Sequence, residues 1–383
     1  MSGGDISELT TITTGNGNSD ITINAGATAT KLANINLGNG NNTLKVGVSG
    51  DTTNGLSVSG GSGTDNIEVL TSGKIDTLNA GANTTNLDLQ TTGGIKNINA
   101  NSAGSTINIK NNDQADVITK ITGNSGSDII NVGKNMTVTE IETGTGALSV
   151  NGEAVISKVT ISANNKSDIT IGTDTKTTVT EVVASGDGSK VTLKGNGEVN
   201  KLNLSGNTTE DITIGNGITV KDFVTDNSGK DIITVASGGK LDVSDTSKNL
   251  NFSGSASTIN VENGGDISTI QTITMGDHGD ANITIENGAK IDALTMINLG
   301  TAGSTSGTNA LTMNANGEKV NVSGSTSTDQ INVGATGKIN KIIAGTNATN
   351  IDLYGGTINE INTDGTTGSN IEIKGQGTIG TIT

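Results

Sequence analysis

Apolar residues in this chain fall in short pairs separated by polar stretches. Between Asp65 and Asp88, Ile67 and Val69 bracket one polar residue, a turn follows at Thr71, Ser72 and Gly73, and Ile75 and Leu78 bracket two. A polar, glycine-bearing loop, 79–85, then leads to Leu87 and Leu89, where the unit restarts. Alternation of one apolar with one polar residue predicts a strand with one face buried. The two-residue gap of the second pair predicts a corner between two inward side chains. A helix is excluded there, because about seven residues separate the Gly, Thr and Asn breakers.

The unit repeats along the whole chain. The first pair opens at Ile21, Leu44, Ile67, Leu87, Ile107, Ile130, Leu148, Ile169, Val191, Ile212 and Ile233, and continues at Ile259, Ile283, Leu311, Ile331, Ile351 and Ile371, a mean step of about 22 residues. The second pair recurs with it, as at Ile95/Ile98, Val138/Ile141, Ile156/Val159, Val199/Leu202, Ile339/Ile342 and Ile379/Ile382. A fixed period of this length predicts an all-β fold: a parallel β-solenoid, β-helix or β-roll in style, of about 17 coils of about 20–22 residues. Each coil would place about four aliphatic side chains in a thin core and bond to the coils above and below, roughly 4.8 Å away. Residues 1–383 are expected to form one continuous solenoid. Steps of 26, 24 and 28 residues mark an irregular region over 233–311. Extra pairs at Leu56/Val58, Leu250/Phe252 and Val320/Val322 predict additional strands or bulges. The chain starts and finishes on second-half pairs, Ile6/Leu9 and Ile379/Ile382, so a slice of a longer protein is expected.

Composition narrows the class. Hydrophobic residues are 31% and aromatics 1%, the latter being Phe223, Phe252 and Tyr354. Such a chain would read as disordered, were its Ile, Val and Leu not held to a period. There is no proline, consistent with strands paired on both sides. With no cysteine, disulfides and thiolate metal sites are excluded. The formal charge is −16 and every basic residue is Lys, which excludes a basic nucleic-acid-binding face. No apolar run is long enough to cross a membrane as a helix, and no charged-then-apolar leader precedes the repeats.

The candidate chemistry is acidic. Gly60-Gly61-Ser62-Gly63-Thr64-Asp65-Asn66-Ile67-Glu68 fits the nonapeptide G-G-x-G-x-D-x-U-x, and looser copies end on Asp128, Asp231 and Asp329. Glycines such as Gly61 and Gly63 let a turn expose carbonyl oxygens, and Asp supplies a hard anionic ligand suited to calcium. The same Asp residues could instead cap turns through backbone N–H groups. Both readings stand at this point. Stacking also places Glu68 over Asp88 and Asp352 over Glu372, like charges that would splay into water or share a cation. Thr170, Thr192, Thr213 and Thr234 form a threonine ladder, with Asn108 over Asn131 nearby. His278, between Asp277 and Asp280, is either a small metal or acid–base cluster or a solvated loop.

On the nonapeptide and the repeat, the chain resembles RTX-type proteins and, more loosely, repetitive bacterial surface-layer proteins and adhesins exported by type I systems. The resemblance implies calcium held between nonapeptides on successive turns, with Asp65, Asp128, Asp231, Asp329, Gly61 and Gly63 as the matching positions. Here the four Asp residues are 63, 103 and 98 residues apart, several coils each. The expected function is structural and extracellular: a surface protein of a bacterial cell, self-associating into a rod or lattice with calcium as a helper. An autotransporter-type adhesin stalk, in contact with cell-surface glycan, is the second expectation. A polysaccharide-active enzyme is the third; the lack of Arg and Trp argues against it.

Overall fold

The computed structural model describes residues 4–90, 94–111, 115–161, 168–172, 176–184, 188–204, 209–225, 230–243, 248–252, 257–276, 280–300, 307–363 and 370–383. Every regular element among them is a β-strand. The chain is a parallel β-solenoid of about 15 turns. It divides into two compact units, Met1–Val182 with Asn196–Glu198, and Val183–Gly195 with Val199–Thr383.

In the first unit the alternating pairs build one sheet, here the front. Its strands run Asp20–Ile23, Asn42–Val46, Asp65–Val69, Thr84–Leu89, Thr106–Asn111, Asp128–Val132, Leu148–Gly152 and Ile169–Ile171, each parallel to the next. The second pairs build the back sheet, which includes Ser57–Ser59, Ile75–Asn79, Ile95–Asn99, Asp116–Thr122 and Met136–Glu142. Strand Ile75–Asn79 turns two successive residues outward between buried Ile75 and Leu78, so the expected corner lies inside the strand. In that coil Ile67, Val69, Ile75 and Leu78 are all 1% exposed or less. Burying each contributes about 1.5–3 kcal/mol. A single coil has no partner for that face; the neighbours above and below supply it.

The second unit repeats the plan. Its front sheet stacks Lys190–Gly195, Asp211–Ile214, Ile232–Val235, Thr258–Val261, Asn282–Ile285, Thr308–Met313 and Thr328–Val333 in parallel. The irregular region keeps this register, Ile233 opposite Ile259, Ile283 and Leu311 in turn. Its extra length goes into a third side: an isolated bridge column Lys240–Asp266–Lys290, then a separate back strand at Asn249–Asn251, Thr272–Thr274 and Met296–Asn298. The extra pairs are therefore back-sheet strands rather than additions to the coil: Val58 pairs beside Leu78, Leu250 beside Ile273, and Val322 beside Ile297. Phe223 and Phe252 meet edge-on at 5.5 Å, filling this wider section with the only aromatic contact among the described residues.

Candidate functional site

The front strand is entered through a glycine-rich corner, and two residues before each anchor the side chain points inward. That position is polar in most coils, with Gly146 and Ala281 as exceptions among the described residues. In the first unit it holds Asn42, Asp65, Thr85, Ser105 and Asp128; in the second, Ser189, Glu210, Asp231, Ser257, Asn309, Asp329 and Thr349. All are 3% exposed or less. Asn42, Asp65 and Thr85 sit in register, as do Asn309, Asp329 and Thr349. Each unit thus carries short runs of buried polar residues along one corner of its aliphatic core, interrupted in the first unit where Ile107 stands opposite Thr85 and Leu148 opposite Asp128.

The column closes the turns. The side-chain oxygen accepts the backbone N–H four residues back: Asp65 Oδ2 from Gly61 at 3.1 Å, Asp128 Oδ2 from Asn124 at 3.0 Å, and Asp329 Oδ2 from Ser325 at 2.8 Å. Ser105 and Thr349 do the same from Asn101 and Gly345, at 2.8 and 3.3 Å. The other carboxylate oxygen accepts a further bond. Asn42 donates to Asp65 at 2.9 Å, the Ser105 N–H to Asp128 at 3.0 Å, and the Ser325 hydroxyl to Asp329 at 2.7 Å. Gly61 and Gly63 serve the stacking, since a Cβ on either would run into the carbonyl of Gly38 or Gly40 in the coil below. Burial pushes the carboxyls of Asp65, Asp128 and Asp329 above their ordinary range, against the pull of these hydrogen bonds. Asp231 occupies the equivalent buried position.

The geometry gives Asp65, Asp128 and Asp329 the turn-capping role weighed against calcium. They share a corner without forming a cluster: among the described residues no group of three or more His, Cys, Asp or Glu is placed to hold a metal ion. Asp277 and His278 lie outside the described residues, while Asp280 accepts the Thr308 N–H at 3.0 Å.

The outward side chains of the front sheet in the first unit form two columns. One is Lys45, Glu68, Asp88 and Lys110. The expected contact of Glu68 with Asp88 is present, but lysines bracket it, Lys45 on Glu68 at 2.6 Å and Lys110 on Asp88 at 2.8 Å. The second like-charge pair is corrected. Asp352 stands opposite Lys374, and Glu372 stands opposite Asn350, because Ile351 pairs with Ile373 rather than Ile371. A two-residue shift keeps the same residues inside, so alternation alone cannot choose between these registers.

The other column is asparagine: Asn66, Asn86, Asn108, Asn131 and Asn151. Each side-chain amide donates to the carbonyl of the rung before it, at 2.9, 2.8, 2.6 and 2.9 Å in order. Only the Asn108–Asn131 step was legible in the spacing. The two columns line a groove of about 810 Å³ that crosses six front strands. In the second unit an outward column runs Thr192, Thr213, Thr234, Asn260, Thr284, Thr312 and Asn332.

No protein-family model matches the chain, and no curated protein or solved structure is significantly similar to it.

Proposed function

We propose that this chain is a structural element of a bacterial cell surface, stiffened by repetition and working through self-association. The observation that carries the reading is the in-register stacking of both sheets coil after coil, with an aliphatic ladder inside and hydrogen-bonded polar columns at the corner and on the face. Each added coil repeats one neighbour contact, which suits mechanical persistence over a chemical cycle. The acidic charge and the absence of cysteine and Arg fit a protein that stays soluble until it meets its own copies. The nonapeptide Gly60–Glu68 supports kinship with RTX-like and surface-layer proteins. Negative-stain microscopy and light scattering of purified protein test the proposal: ordered fibres or sheets support it, and a dispersed monomer at every concentration and salt overturns it.

Calcium assistance is a second layer of the same reading, favoured by one corner. Above and below Asp65, Asn42 Oδ1 and Thr85 Oγ1 are enclosed without a hydrogen-bond partner. An ion at Asp65 would draw on these oxygens, at the expense of the Gly61 N–H bond. Melting with calcium against chelator decides it, and Asp65→Asn should abolish any calcium-dependent gain.

A further inference from the structure

The front groove of the first unit has hydrogen-bonding capacity that its own ladder does not use up. Asparagine is disfavoured in strands, yet it occupies five successive rungs, Asn66 to Asn151, and is retained there by a side-chain ladder. An amide has two donors and two acceptor lone pairs. Each interior rung spends one of each on its neighbours, leaving one donor and one lone pair per rung. A row of groups that both donate and accept matches hydroxyl groups, which do the same.

The charge pattern selects further. The chain carries −16, yet the groove lining is balanced: its charged side chains are Lys45, Glu68, Asp88 and Lys110, each lysine paired to one carboxylate. A polyanion would meet Glu68 and Asp88, and a polycation would meet the lysines. A neutral ligand meets neither penalty. Asp88 Oδ1 is enclosed without a hydrogen-bond partner, under a Lys110 side chain that is 72% exposed. A ligand hydroxyl arriving as Lys110 turns aside would satisfy it.

Size and period agree. The groove volume lies within the range of small-molecule sites, and six strands at about 4.8 Å give a track about 24 Å long. One rung is close to the length of one pyranose in an extended chain. We propose that this groove binds a linear, uncharged glycan along the stacking axis, about one sugar per asparagine rung. This goes beyond the structural role and does not depend on it. No aromatic ring lines the groove, so affinity per site is weak, about millimolar, and would rise wherever several copies face one glycan chain.

The test uses the whole chain with cellohexaose, maltohexaose and mannohexaose as neutral probes and hexagalacturonate as the acidic one, read by saturation-transfer NMR and calorimetry. Binding of at least one neutral hexasaccharide, little changed between 50 and 500 mM salt and weakened about tenfold or more in Asn108→Thr, is expected. Asp88→Asn keeps the shape of the side chain but replaces one carboxylate acceptor with an N–H donor, and provides a second variant should the first melt early; it should weaken binding about threefold or more. Thr213→Ala, in the other unit, should bind as wild type. Failure of every neutral probe at 10 mM, a preference for the acidic one, or undiminished binding in both groove variants overturns the proposal.

Discussion

The outward faces of the two front sheets differ while their interiors match. In both units the inward residues after the polar corner are almost all Ile, Val and Leu at essentially no exposure. Outside, the first unit presents an amide ladder beside a charge column, whereas the second presents mainly threonine, Thr192, Thr213, Thr234, Thr284 and Thr312. Threonine is favoured in a strand by its branched Cβ. Asparagine holds its place through bonds between rungs. Interior packing therefore fixes the coil, and the exposed column is free to carry something else.

If the interiors are equivalent, equal deletions should cost the same in both units. Leu87→Ala and Ile233→Ala, each fully buried, should each destabilise by about 2–5 kcal/mol, measured by urea melting with a fluorescent label in each unit. A large loss in one unit only would break the equivalence.

The corner column is the next test. Asp65→Ala and Asp329→Ala each leave a backbone N–H enclosed without its acceptor, at a cost of about 1–3 kcal/mol. The pH dependence has a defined sign. The folded carboxyls of Asp65, Asp128 and Asp329 are raised above the ordinary 3.8, so the folded chain binds protons more readily than the unfolded one. Their contribution to stability therefore falls as pH rises from 3.8 through the raised values. Asp→Asn at all three positions should flatten that slope, and an unchanged slope would place its origin elsewhere.

The smallest effect comes from exchanging the outer columns. Asn108→Thr loses two ladder bonds, each about 0.5–1.5 kcal/mol, and regains up to about 1 kcal/mol of strand preference, for a net loss of about 1 kcal/mol. Thr213→Asn gains no ladder and should lose about 0.5–1 kcal/mol. Thermal melts of the pair would show whether the amide column is held by its neighbours or by the strand.

The repeat and its two sheets were legible because Ile67, Val69, Ile75 and Leu78 announce inside and outside at different spacings. The corner aspartates were visible as residues but not as caps; only the fold shows Asp65 reaching back to Gly61. Asn42, Thr85 and Asn309 lie two places before an anchor but carry no apolar signal, so the period of Ile, Val and Leu does not mark them. Register was the least legible. Thr106–Asn111 offers Ile107 and Ile109 as equivalent inward choices, and Leu87 takes Ile109, not Ile107. The groove depends on that choice, since it brings Lys110 rather than Asn108 beside Asp88.

The parallel in-register stack can be read with engineered cysteines, because the chain has none. Residues paired across adjacent strands lie within disulfide reach, whereas a diagonal offset of two residues does not. Under mild oxidation the Asp88→Cys, Lys110→Cys double variant should cross-link within the monomer, and Asp88→Cys with Asn108→Cys should not. The reverse pattern, or no cross-link in either, would contradict the stacking on which the corner column and the groove are built.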